Sequence, residues 1–167
     1  MAQFIGVSGI AGAGKDLFCS LAQDYFHTLG TVKRKVFIKS LAFALKEDVR
    51  GTCLELYGVD PTKANRKDKN KIRDSLVFYG DVMRKKTNGR YWVDKMDAEC
   101  YLMEKAGAIG DNDIVMISDI RYNEFPKDEV PWVKNEKNGV LVHIKKHFTV
   151  DSGFFSKKVH GEPPTPV

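Results

Sequence analysis

Residues 9–16, Gly-Ile-Ala-Gly-Ala-Gly-Lys-Asp, place three glycines and a lysine in one short run. This composition suits phosphate binding. Glycines let a backbone curl until several N–H groups point inward, and a helix starting just beyond adds the positive end of its dipole. The spacing nearly fits G-x-x-x-x-G-K-[ST], whose lysine reaches the β- and γ-phosphates of a nucleotide. Gly9, Ala11, Gly12, Ala13, Gly14, Lys15, Asp16 and Leu17 are therefore the expected nucleotide-binding residues, with ATP and Mg²⁺ as the expected cofactors. Asp16 stands where the pattern has a hydroxyl that ligates Mg²⁺. Its carboxylate can bind the ion directly or through water, so Asp16 is the candidate metal ligand.

Transfer of a phosphoryl group also demands that charge on both substrates be neutralised and aligned. Arginine suits this because its planar fork grips phosphate oxygens in pairs. Arg73, Arg84, Arg90 and Arg121 are the candidates. Asp119 closes the run Asp113-Ile-Val-Met-Ile-Ser118, at the carboxyl end of a strand, where open α/β sheets bind ligands. Its other reading is a helix cap or an ion pair with Arg121. Glu124 is a candidate for orienting an arginine or the acceptor. Tyr79, Tyr91 and Trp92 can stack on a base, although aromatics at helical spacing belong more often to a core. His143 and His147, four apart on a strand, lie about 13 Å from one another, too far to share a metal.

These residues need elements to hold them. Residues 3–8 read as a short buried strand. Leu17, Phe18, Leu21, Ala22, Tyr25 and Leu29 recur at helical spacing after the glycine turn, with Gly30 as the stop. Residues 35–39 read as a second strand, and Ser40 can cap a helix carrying Leu41, Leu45, Val49 and Leu56. The polar, basic stretch 58–71 reads as a loop or flap that closes over phosphates. Helices are expected over 72–87 and 93–106. Strands are expected over 113–119 and 139–144, the second after a turn at Lys137-Asn138-Gly139. The tail from Gly161 is Pro-rich and reads as irregular. Strand–helix–strand–helix order makes this an α/β chain with a parallel sheet.

Composition excludes several classes. With 43% hydrophobic and 29% charged residues over 167 positions, disorder is not the main state. No run reaches about 18 uncharged apolar residues, so no transmembrane helix is expected, and the N-terminus does not read as a secretory signal. Cys19, Cys53 and Cys100 are odd in number and contain no C-x-x-C pair, which argues against a disulfide framework or structural zinc and for a cytoplasmic setting. The net charge of +5 is gathered in clusters such as Lys33-Arg34-Lys35 and Lys63 to Arg73. Such clusters suit nucleic acid or a small molecule with several phosphates.

Four stretches together resemble the deoxynucleoside monophosphate kinases of bacteriophages, a branch of the P-loop nucleotide kinases. They are the loop Gly9 to Asp16, then Ser40-Leu-Ala42-Phe-Ala-Leu45-Lys46. The third is Arg73-x-x-Leu76-x-x-x-Gly80-x-x-x-Arg84 with Gly89-Arg-Tyr-Trp92-Val93, and the fourth is Ile117-Ser118-Asp119-Ile-Arg121-Tyr-Asn123-Glu124. The resemblance implies a P-loop NTPase-like three-layer sandwich over residues 1–167, with 58–92 as an acceptor-binding or lid part. It implies transfer of the ATP γ-phosphoryl group to a deoxynucleoside monophosphate. Lys15, Asp16, Arg84, Asp119 and Arg121 would take catalytic roles; Arg73, Arg84, Arg90, Trp92, Arg121 and Glu124 would bind the substrate. The implied partners are small-molecule nucleotides, without membrane or nucleic acid, and with a homodimer left open. The compartment would be the cytoplasm, that of the host if the chain is viral. Departures are Leu17 where Thr is common, Val77 where Gln is common, and Asp81-Val82 where Thr-Glu is common. The family continues beyond residue 144 with a His-x-Ser-Glu, a strand and a helix, echoed here only by His160-Gly161-Glu162.

Rival readings are weaker. A GTPase needs a base reader, and Asn65-Arg66-Lys67-Asp68 imitates one, but no apolar strand precedes it. A nucleic-acid-binding protein would leave Gly14-Lys15 unexplained, and a catalytically inactive nucleotide binder is the reading that Leu17 and the faint echo of the family's C-terminal elements would motivate. A dephospho-coenzyme A kinase-like enzyme shares most of the physics.

Overall fold

The computed structural model describes residues 2–28 and 34–146. The run Gln3–Ser8 forms strand β1, and the run Ile114–Ile120 forms strand β3. These two pair in parallel at the centre of a sheet whose other strands are β2 (Val36–Lys39) and β4 (Val140–His143), in the order β2-β3-β1-β4. All three pairings are parallel. Parallel strands need crossovers, and the crossovers here are helical.

Helix α1 (Lys15–Thr28) lies on one face of the sheet, where Cys19, Phe18, Ala22 and Phe26 pack on Val7, Ile114 and Met116. The other face carries helix α2 (Leu41–Asp48), helix α5 (Arg90–Lys105) and one turn, α6 (Glu129–Pro131), that continues into a wide π-helical turn over Trp132–Glu136. Leu41, Trp92, Val93, Met96, Trp132 and Val133 form that core with Phe4, Val115 and Ile117. The fold is α/β with a four-stranded all-parallel sheet and helices on both faces. Among the described residues, no helix is long and apolar enough to cross a membrane.

Helix α3 (Arg50–Tyr57) and helix α4 (Arg66–Lys86) stand off the sheet. They share a small core of Val49, Cys53, Val59 and Ile72, against which Leu45 and Leu76 pack.

Four local expectations need correction. The buried stripe of α1 is not the one containing Leu17, Leu21 and Tyr25, which are at least 60% exposed. It is the stripe one residue later. The helix after Ser40 is broken at Val49 (φ −95°, ψ 4°) into α2 and α3. Ser40 occupies the cap position, but its side chain does not cap α2. The basic stretch is not a loop throughout: residues 66–71 are the first turns of α4. Asn65 accepts the Asp68 N–H at 2.9 Å and donates to the Asp68 carboxylate at 2.8 Å. Asn65 thus caps the N-terminus of α4 through the Asp68 N–H, and this is where the imitation of a base reader ends. Leu29, Gly30, His147 and the tail with His160-Gly161-Glu162 lie outside the described residues.

Candidate functional site

The site begins where β1 and β3 end. Ser8 is paired with Ile120, so Gly9 and Arg121 leave the sheet side by side. The following segments run to opposite faces, α1 to one and α6 to the other. Such a divergence opens a crevice at the carboxyl ends of the strands.

The glycine-rich turn fills one side of the crevice. Gly9 has φ +145°, and a Cβ there would lie 2.5 Å from the carbonyl oxygen of Ile144. Gly14 (φ +93°) passes the chain into α1, whose first helical bond is Phe18 N–H to Gly14 O at 2.9 Å. The N–H groups of Lys15, Asp16 and Leu17 precede that bond, so they have no acceptor within the helix. Lys15 Nζ folds back and donates to the carbonyls of Gly9 at 2.7 Å and Ile10 at 3.0 Å. Its ammonium thus lies over the turn. Asp16 and Leu17 are exposed in the first turn of α1. No group of three His, Cys, Asp or Glu side chains converges among the described residues. Asp16 is therefore a single exposed carboxylate that belongs to no all-protein metal cage among the described residues.

On the β3 side a cavity of about 360 Å³ opens, within the size range of ligand pockets. Leu45, Leu76, Val77 and Trp92 give it apolar walls; Lys46, Lys69, Arg73 and Arg121 bring four cations; Asp81, Asp119 and Glu129 are its acids. Arg73 and Arg121 are exposed, as a ligand-binding arginine must be. Trp92 is buried, spends its indole N–H on Gly80 O at 3.1 Å, and presents part of its ring to the cavity. Tyr79 and Tyr91 sit edge-on to Trp92, with ring centres 6.1 and 4.7 Å away, and do not line the cavity.

Two expected phosphate ligands are placed elsewhere. Arg84 is 2% exposed. Its Nε and Nη2 hold both oxygens of Asp128, Nη2 also meets Glu124 at 2.8 Å, and the rings of Tyr122 and Phe125 lie at 3.9 and 4.8 Å from its guanidinium carbon. With Asp81 at 3.8 Å as well, the charge of a guanidinium so engaged is already countered by three carboxylates. Asp128 above all, despite the opposing effect of burial, raises the Arg84 pKa beyond its ordinary value. Glu124 accordingly points at Arg84 and does not line the cavity. Arg90 is held by Asp94, Asp97 and Glu136 and is likewise not at the cavity.

Asp119 is at the cavity edge, but its oxygens are engaged. Oδ1 accepts the Leu41 N–H, and Oδ2 accepts the Ala42 N–H and the Ser40 hydroxyl, all at 2.8 Å. It caps α2 from the neighbouring strand in place of Ser40. The reading of Asp119 as metal or acceptor ligand gives way to its helix-cap reading.

Glu129 carries no motif and was not among the expected residues. It is 5% exposed, and its Oε2 accepts the N–H groups of Arg121 and Tyr122. Burial pushes its carboxyl up to about 7; the two N–H donors oppose this, and Asp119 and Asp128 add to it. Burial also acts to raise the Asp128 carboxyl, but Arg84 and the Phe125 and Glu124 N–H groups outweigh it and leave the pKa below the ordinary value. Lys46 was also missed as a cavity residue, although it closes the Ser40 to Lys46 stretch, whereas Lys69 belongs to the basic stretch expected to close over phosphates. At the same end of β1, the Ser8 hydroxyl lies 2.9 Å from His143 Nδ1.

Comparison with known proteins adds no assignment: no protein-family model matches the chain, and no curated protein matches it.

Proposed function

We propose that the chain is a P-loop kinase that transfers the γ-phosphoryl group of ATP to a deoxynucleoside monophosphate. One observation carries this reading. The Ser8–Ile120 pairing puts the start of a lysine-bearing glycine turn next to the strand end that leads into Arg121, one lining residue of a cavity that combines apolar walls with four cations. A triphosphate needs the first kind of site, and a nucleotide acceptor, with a flat base and an anionic end, needs the second. Segment 58–92 supplies Lys69, Arg73, Leu76, Val77, Gly80, Asp81 and Trp92 to the cavity, in keeping with its expected acceptor-binding role.

In this mechanism Lys15 releases the Gly9 and Ile10 carbonyls and turns to the β- and γ-phosphates. The N–H groups of the turn and of the first helical residues hold the remaining oxygens. Asp16 would hold Mg²⁺, which would offset the charge of the phosphates. Arg121 and Arg73, with Lys46 and Lys69, hold the acceptor phosphate, while Leu45, Leu76, Val77 and Trp92 enclose the base. An oxygen of the acceptor phosphate then attacks the γ-phosphorus in line. The bond from that phosphorus to the β-bridging oxygen breaks, and ADP leaves with its electron pair. No covalent intermediate with the protein is required.

The test is ADP release with ATP, Mg²⁺ and each of the four deoxynucleoside monophosphates, with dephospho-coenzyme A, or with no acceptor. Turnover that depends on a deoxynucleoside monophosphate is expected. Turnover with dephospho-coenzyme A alone would move the chain to that other class of kinase. Silence with every acceptor would overturn the proposal.

A further inference from the structure

Asp128 and Glu129 are consecutive and buried, 0% and 5% exposed, and both turn toward the segment between β3 and α6. Glu129 accepts the N–H groups of Arg121 and Tyr122. Asp128 Oδ2 accepts those of Glu124 and Phe125, at 2.7 and 2.8 Å. Asp128 is also gripped by Arg84, near the carboxyl end of α4. Two carboxylates therefore fix four peptide groups of one segment and tie it to the helix that brings Lys69 and Arg73 to the cavity.

A buried acid is a costly way to satisfy two peptide N–H groups beside an open cavity. Water could satisfy them there, since Arg121 is exposed. What a fixed carboxylate adds is direction. Glu129 itself lines the cavity beside Arg121, so the peptide it holds is the one from which the arginine projects. Binding groups need such support to stay in a productive geometry.

We infer that Glu129 is a positioning residue: by holding the Arg121 and Tyr122 N–H groups it sets how the Arg121 guanidinium meets the anionic end of the acceptor. The inference rests on the reading of this cavity as the acceptor site. It adds a residue that touches the acceptor phosphate only through Arg121.

Three variants test it. Glu129→Gln keeps an acceptor oxygen at the same reach, Glu129→Asp withdraws it by a methylene, and Glu129→Leu removes it. Each is made alone and with Arg121→Ala, and calorimetric titrations measure binding of ATP and of each deoxynucleoside monophosphate. The Asp and Leu variants are expected to weaken monophosphate binding at least about tenfold and the Gln variant less than about threefold, with no further loss when Arg121 is already Ala. ATP affinity stays within about twofold. Additive losses in the double variants, equal weakening by Gln and Leu, or a parallel loss of ATP binding would overturn the inference. If the Leu variant does not fold, the Asp variant carries the same comparison.

If wild type binds none of the monophosphates, the functional reading fails separately. The inference is then decided by NMR, on the Arg121 Nε–Hε signal during titration with inorganic phosphate. A response in wild type and the Gln variant that is lost in the Asp variant upholds it. No response in wild type, or the same response in all three, overturns it.

Discussion

Arg84 and Asp128 form a two-point pair, Nε to Oδ1 at 3.0 Å and Nη2 to Oδ2 at 2.9 Å, in which neither side chain is more than 3% exposed. The pair joins α4 to the segment that carries Arg121. It also explains Gly89, which has φ +94° and where a Cβ would lie 2.4 Å from Asp128 Oδ1. An arginine in this setting belongs to the framework. Arg84→Ala leaves Asp128 buried without its cation, and the expected loss of unfolding free energy is about 3–5 kcal/mol. Urea unfolding measures it. Stability unchanged together with lost turnover would instead return Arg84 to the list of phosphate ligands.

Among the described residues, Lys15 has no structural partner except the turn it covers. Lys15→Ala should leave the urea midpoint nearly unchanged and lower kcat/KM by at least about 100-fold, the scale of losing one aimed donor at a developing charge. Near-normal kcat/KM would remove the turn from the mechanism.

The glycines of the turn are not equivalent. At Gly9 an added Cβ meets the Ile144 carbonyl at 2.5 Å, whereas at Gly12 (φ +77°) it meets nothing within 4 Å. Gly12→Ala should cost only the left-handed backbone penalty, about 1–2 kcal/mol. Gly9→Ala should cost more, because β4 must also shift. Thermal unfolding of the two variants, compared side by side, gives the order; the reverse order would contradict this account of the turn.

Glu129 should make stability fall as pH rises. Its carboxyl titrates near 4.5 in the unfolded chain and at about 7 in the fold, with burial as the main cause. Between these values the native state holds a proton that the unfolded state has lost. The contribution is therefore fully present below about pH 4.5 and lost as pH rises through 7. Complete loss amounts to about 3 kcal/mol at 1.36 kcal/mol per pKa unit. Glu129→Gln should remove this slope from urea unfolding measured between pH 5 and about 8. An unaltered slope would show that Glu129 is not its source.

Much of the site was legible in the chain because its signals are local. The glycine turn needs only neighbours in sequence, and so does the lysine that follows. The apolar run at 114–117 announced an interior strand, and the strand–helix order announced a parallel sheet. The Asn65 cap on the Asp68 N–H was equally local, and the start of α4 could have been read from it.

Other features required the tertiary structure. Leu17, Leu21 and Tyr25 make a helical stripe as regular as Phe18, Ala22 and Phe26, one residue away. A period cannot choose between stripes that differ by a rotation; the sheet chose the second, because Cys19, Phe18 and Ala22 face Val7 and Met116. Arg84 and Arg121 are chemically identical in sequence. One is countered by Asp128, 44 positions later, and the other is left facing a cavity. Asp119 could be read as a ligand or as a helix cap, and only the placement of the α2 N–H groups on it shows the cap. Glu129 has no motif at all, and its importance lies in two peptide groups that fold back to it. Sequence alone determined which residue types were present to bind phosphate and on what local scaffold. The tertiary structure decided which charges remain available, because a charge is spent or spared by partners that are distant in the chain and near only in space.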